Sequence, residues 1–169
     1  MNRENNTTMN EFAELLRREQ SHFMRYACYR LGDTDDAKDA LQETCHKLCD
    51  KFTADDDNEV KNLRNYIFRT LANVCTTRLS QSKRLETIPL DPRFDMADIQ
   101  SESNEDDLKR IVKLLDEIPE EQAEVIRLRI YGDNSFAEVS DILSVPLPTV
   151  KSRFLYGLEK IRRAMKQTN

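Results

Sequence analysis

The chain has 169 residues, 38% of them hydrophobic and 34% charged, with a formal net charge of −5. This is enough for one domain or two small ones, each with a modest core, and three glycines with no tryptophan argue against a turn-rich β architecture or a glycine-lined phosphate loop, leaving helices as the default. The opening MNRENNTTMNEF has no apolar run and no later stretch approaches spanning length, so neither export nor membrane insertion is indicated and a cytoplasmic location is expected.

In chain order, Phe12, Leu15, Leu16, Phe23, Tyr26 and Ala27 recur at helical spacing and predict an amphipathic helix over 10–31, stopped by Gly32. Asp33 or Thr34 can cap a second helix that runs to Phe52, with Asp35 and Asp36 in its first turn, where the helix dipole favours negative charge. Its outward face carries Asp39, Gln42, Glu43, His46 and Asp50. Reduced thiols are expected at Cys28, Cys45, Cys49 and Cys75. The stretch CHKLC suggests a metal or a reactive cluster. Yet Cys45 continues the apolar series Ala37, Leu41, Leu48 and Phe52, and His46 points about 100° away. A buried structural cysteine is favoured; no metal, other cofactor, small-molecule substrate or catalytic residue is predicted.

The polar run 53–59 reads as a loop, and a third helix is expected over 61–81. Between Lys61 and Leu85 there is no acid, while Lys61, Arg64, Arg69, Arg78, Lys83 and Arg84 are basic, so an acidic partner is expected here. Leu63, Ile67, Leu71 and Val74 fall on one side of this helix; Asn65, Arg69, Asn73 and Thr76 form the opposite stripe, with Tyr66 at its edge. Such a stripe suits phosphates and unstacked bases, and it also fits an ordinary solvated face. Segment 85–104, with two prolines and many acids, reads as a linker.

Beyond it, Ser103 and the acids after it start a helix with Leu108, Ile111, Val112, Leu114 and Leu115. Pro119 starts another, with Val125, Ile126, Leu128 and Ile130 apolar and a stop at Gly132. Ser135 caps a short helix to Leu143, SVPL turns, and Pro148 opens the last helix, giving helix, turn and helix in about twenty residues. Ser140, Ser144 and Val150 stand where such a motif needs small or buried groups. In the last helix Val150, Phe154, Leu158, Ile161 and Met165 line one side. Thr149, Ser152, Arg153, Tyr156, Lys160 and Arg163 lie opposite, with Lys151, Leu155 and Arg162 on a flank. The N-terminal part of such a helix can enter a major groove while later basic residues neutralise phosphate.

At these residues a resemblance emerges. DDAKDALQETCHKL and NYIFRTLANV resemble region two of bacterial RNA polymerase sigma factors, and IPEEQAEVIRLRIYGDNSFAEVSDILSVPLPTVKSRF resembles region four; the chain is similar to the small extracytoplasmic-function type. The resemblance implies an all-α chain of two small helical domains, 8–84 and 105–169, joined by the acidic linker 85–104. It implies core RNA polymerase docking at Asp39, Gln42 and Glu43, and binding of the opened minus-ten promoter element by Asn65, Tyr66, Arg69, Asn73 and Thr76. It also implies base capture by loop 53–59 and reading of the minus-thirty-five element by Thr149, Lys151, Ser152, Arg153, Leu155 and Tyr156. An anti-sigma factor is a further implied partner. Departures from the family pattern are Tyr66 for a tryptophan, Ala72 for an arginine, Thr77 and Ser80 for an aspartate and an arginine, Pro148 for a glycine, and Tyr156 at a position that is often basic. A helix-turn-helix regulator acting as a dimer without polymerase, and an enzyme built on Cys45, His46 and Cys49, are the alternatives.

Overall fold

Gly32 ends the first helix because its backbone adopts φ +76°, a left-handed conformation that glycine enters without a Cβ clash; its N–H donates to the Cys28 carbonyl at 2.7 Å. The structure, a computed structural model, describes residues 2–54, 60–84 and 105–167, so most of the predicted loop 53–59, the linker and the Ser103 helix start lie outside the described residues. Helix α1 (Asn2–Leu31) precedes α2 (Thr34–Thr53), where Asp33 is the cap, its carboxylate accepting from the Asp35 N–H at 3.0 Å. Helix α3 (Leu63–Arg84) starts on Asn62, whose side chain accepts from the Asn65 N–H at 3.0 Å. These three helices pack around Phe23, Tyr26, Leu48, Ile67, Leu71 and Val74, with Phe12 edge-on to Phe52 at 5.7 Å.

The second unit comprises α4 (Glu105–Glu117), α5 (Glu120–Ile126), a π-helical turn (Arg127–Tyr131), α6 (Phe136–Leu143) and α7 (Leu147–Gln167). Ser135 and Glu138 form a capping box at the start of α6, and Ser144 turns the chain out of it at φ +54°. A Cβ on Gly157 would lie 2.7 Å from Cδ1 of Ile126, so α7 runs close along α5. Two sequence expectations fail here for identifiable reasons. Ile130 is 43% exposed because the π turn inserts a residue and rotates the apolar face. Met165 is likewise exposed: α7, at 21 residues, outruns the 7-residue α5 that covers its apolar side.

The two units are in contact. A single buried cluster runs from Phe12 and Phe68 through Val125 and Leu128 to Val139, Ile142 and Val150. Phe68 of α3 packs against Phe23 at 4.7 Å, and Gly132 lies close by: a Cβ there would stand 3.1 Å from the Phe68 ring and would collide with Asn134 and the Leu128 carbonyl of its own unit, at 2.7 and 2.8 Å. Tyr29 stacks on Tyr131, with ring centroids 3.4 Å apart. Alongside, Arg30 reaches Glu120 at 2.8 Å and the Tyr26 hydroxyl donates to Glu124. Glu120 and Glu124 also flank the wholly buried Arg127, at 2.8 and 3.3 Å.

The four cysteines are free thiols. Burial pushes Cys28 up to about 11 and Cys75 up to about 12. Cys45 and Cys49 are half-buried rather than sealed, and His46 faces solvent. Among the described residues, no group of three or more His, Cys, Asp or Glu side chains could hold a metal ion, and no helix is long and apolar enough to cross a membrane.

Candidate nucleic-acid interface

Helix α3 has no acid in its first turn, and its basic residues do meet acids, though the acids belong to this chain. Arg64 donates to Glu138 at 2.9 Å, to the side chain of Asn134, and to the carbonyls of Gly132 and Asp133 at 3.0 and 3.2 Å; its Nε lies 3.3 Å from Glu19. Arg78 pairs with Glu43 at 3.2 Å. Asn65, predicted on the outward stripe, is instead buried under α6, its Nδ2 donating to the Asp141 carboxylate at 2.7 Å. Arg69 donates to the Asp141 and Ile142 carbonyls at 2.5 and 3.1 Å, at the end of α6, where unpaired carbonyls carry partial negative charge. Further along, Asn73 and Thr76 are exposed, with Thr76 accepting from Arg30 at 3.4 Å.

Tyr66 lines a cleft of about 310 Å³ with Lys51, Lys61, Arg69 and Asp141. Lys51 stands 4.2 Å above the Tyr66 ring and donates to its hydroxyl at 2.7 Å. Sequence reasoning missed Lys51: a lone lysine in the last turn of a helix reads as a partner of the helix dipole.

On α7, Lys151, Ser152, Leu155 and Tyr156 form an exposed edge. Leu155 and Tyr156 are 65% and 60% accessible, large values for apolar groups, and the first turn carries no acid. Ser152 donates back to the Pro148 carbonyl at 3.0 Å. Thr149 is half-buried, and Arg153 turns away from this edge towards Glu121 at 3.6 Å. Phe136 meets Phe154 at 5.1 Å and Val150 is sealed beneath, so the two helices of the motif are rigidly joined and the edge is held in one orientation. On α2, Asp39 and Gln42 are exposed, whereas Glu43 is held between Arg78 and Lys47.

Residues 15–85 match the family model for Sigma-70 region 2 and residues 114–163 match that for Sigma-70, region 4. The ECF RNA polymerase sigma factor SigM of Mycobacterium tuberculosis is 27% identical over 162 residues, covering 94% of this chain and 79% of that protein. The chain belongs to the extracytoplasmic-function sigma factors. Over 60 residues, this sigma factor is also 37% identical to SigK of Mycobacterium ulcerans, covering 36% of the chain and 32% of that relative. Its fold is similar to that of the sigma factor RpoE solved with the anti-sigma factor NepR from Bartonella quintana, at a TM-score of 0.71 and 20% identity over 92% of this chain and 97% of that one. It is also similar to that of CnrH solved with the cytosolic domain of CnrY, at a TM-score of 0.68 and 19% identity over 95% and 91%. In this sigma factor the region 2 match spans most of α1 with α2 and α3, and the region 4 match spans α5, α6 and most of α7.

Proposed function

We propose that this alternative sigma factor directs core RNA polymerase to its promoters through three surfaces. Asp39 and Gln42 dock on the polymerase, with Glu43 released from Arg78 as they do so. The α7 edge enters the major groove of the minus-thirty-five element, where Lys151 contacts a base edge or phosphate and Leu155 and Tyr156 offer apolar contact to thymine methyls. On α3, Asn73, Thr76 and Arg69, with Tyr66 and Asn65 beside them, bind the opened minus-ten strand, which supplies part of the free energy of unpairing. Thr149 and Arg153 hold the α7 edge in place. Catalysis is by the polymerase, the sigma factor works in the cytoplasm by binding alone, and an anti-sigma factor is its inhibitor.

The exposed Leu155 and Tyr156, on an acid-free helix start beside Lys151, carry this reading. Transcription with reconstituted holoenzyme tests it. Lys151→Ala is expected to reduce promoter-specific initiation by roughly five- to a hundredfold, the worth of one good base or phosphate contact. Asp39→Arg with Gln42→Ala is expected to abolish co-purification with core polymerase. Initiation unchanged by Lys151→Ala would refute the α7 assignment.

A further inference from the structure

The N-terminal part of the acid-free face of α3, from Arg64 to Arg69, is occupied from within the chain. Three observations converge on it. Asp141 stands on Asn65 at 2.7 Å while its backbone carbonyl accepts from Arg69 at 2.5 Å, so a carboxylate and a carbonyl dipole take the positions that a phosphate or a base edge would take. Arg64 grips the loop ahead of α6 through two backbone carbonyls and the Asn134 side chain, and pairs with Glu138 on α6 itself. Gly132, in the same loop, comes close against Phe68 of α3, where an added Cβ would lie 3.1 Å from the ring. The α7 edge is not involved and stays open to solvent.

We propose that in the free sigma factor α6 seals the Asn65 and Arg69 end of the strand-binding face of α3, with Asp141 acting as an internal stand-in for nucleic acid on these two residues and with Arg64 as the latch. This rests on the reading of α3 as the minus-ten surface. The sealed chain presents its duplex-reading edge and withholds the Asn65 and Arg69 part of its single-strand surface, leaving Asn73 and Thr76 open. A closed form that cannot bind the strand lowers the apparent affinity by the fraction of chains that are open. Polymerase, by separating the two units, would expose this part of α3 in the holoenzyme.

Two variants of the full-length chain test this because they change net charge in opposite directions. Arg64→Ala removes a cation from the binding unit; Asp141→Ala removes an anion. General attraction to DNA predicts weaker strand binding by the first and tighter by the second. Release of a seal predicts that both variants expand in small-angle X-ray scattering. It also predicts that both bind the fluorescently labelled non-template strand of a promoter used by the holoenzyme at least about fivefold more tightly than wild type. Asp141 is largely exposed, so its variant retains the fold if loss of Arg64 proves too disruptive. Wild-type dimensions in both variants, or affinity shifts of opposite sign, would overturn the seal. Arg69→Ala in the holoenzyme separates the two ideas: if it abolishes promoter opening while the seal variants behave as wild type, the α3 reading stands and the seal falls. If opening is unaffected by Arg69→Ala, the α3 reading falls and the proposal with it.

Discussion

Arg127 heads the fully buried side chains among the described residues when ranked by volume, an unusual place for a guanidinium. Its charge is met by Glu120, Glu124 and, at 3.5 Å, Asp116, and Glu124 also accepts from Tyr26 of α1, so the ion cluster lies across the joint between the units. Removing the cation leaves the mostly buried Glu124 with only Arg30, at 3.4 Å, to balance it. Arg127→Leu is therefore expected to cost about 3 kcal/mol in urea unfolding, with Arg127→Lys recovering part of it because an ammonium lacks the planar fork. In sequence this residue hides inside VIRLRI and reads as an interruption of an apolar face. The signal that would find it is the pair of glutamates three and seven residues earlier, both on its side of the helix.

At the scale of elements, ends matter more than middles. Ser135 and Glu138 satisfy one another's backbone donors at the start of α6, and α6 is only 8 residues long, so the cap is a large share of what keeps it helical. Ser135→Ala is expected to cost about 1 kcal/mol, measured as a fall in Tm, and to loosen the recognition motif with it. Gly32 and Ser135 were readable as stop and cap, and Asp33 as one of two candidate caps beside Thr34, because each acts through its own backbone or that of a residue two or three away. The helix-turn-helix was legible for the same reason, since its small and buried positions follow from local spacing. The burial of Asn65 was not. A wheel for α3 separates one apolar stripe from one polar stripe, and nothing in it shows that a second unit will cover part of the polar one. Nor could periodicity reveal the π turn, which breaks the period that the reading depends on.

Across the whole molecule, the joint between the units is polar at its rim and aromatic at its centre, which makes it sensitive to acid. Glu19 of α1 is drawn two ways: burial pushes its carboxyl up, but the His22 hydrogen bond at 2.7 Å and the charge of Arg64 outweigh this and hold it below the ordinary glutamate range. A carboxylate lowered in the folded state contributes stability that is complete above its unfolded value and is lost as pH falls through its folded value. Between about pH 5 and pH 3, Tm should thus fall more steeply for wild type than for Glu19→Gln, which has no such charge to lose. On the other side of the joint, the Gly132 N–H reaches back five residues to the Arg127 carbonyl, closing a helical turn that holds one residue more than a regular α-helix would. Winding the same five residues as regular α-helix, at about 100° per residue, would carry Tyr131 further round the axis and off Tyr29. The surplus residue is a shim, and the winding of one short turn decides whether the two halves of the protein meet face to face or slide past each other.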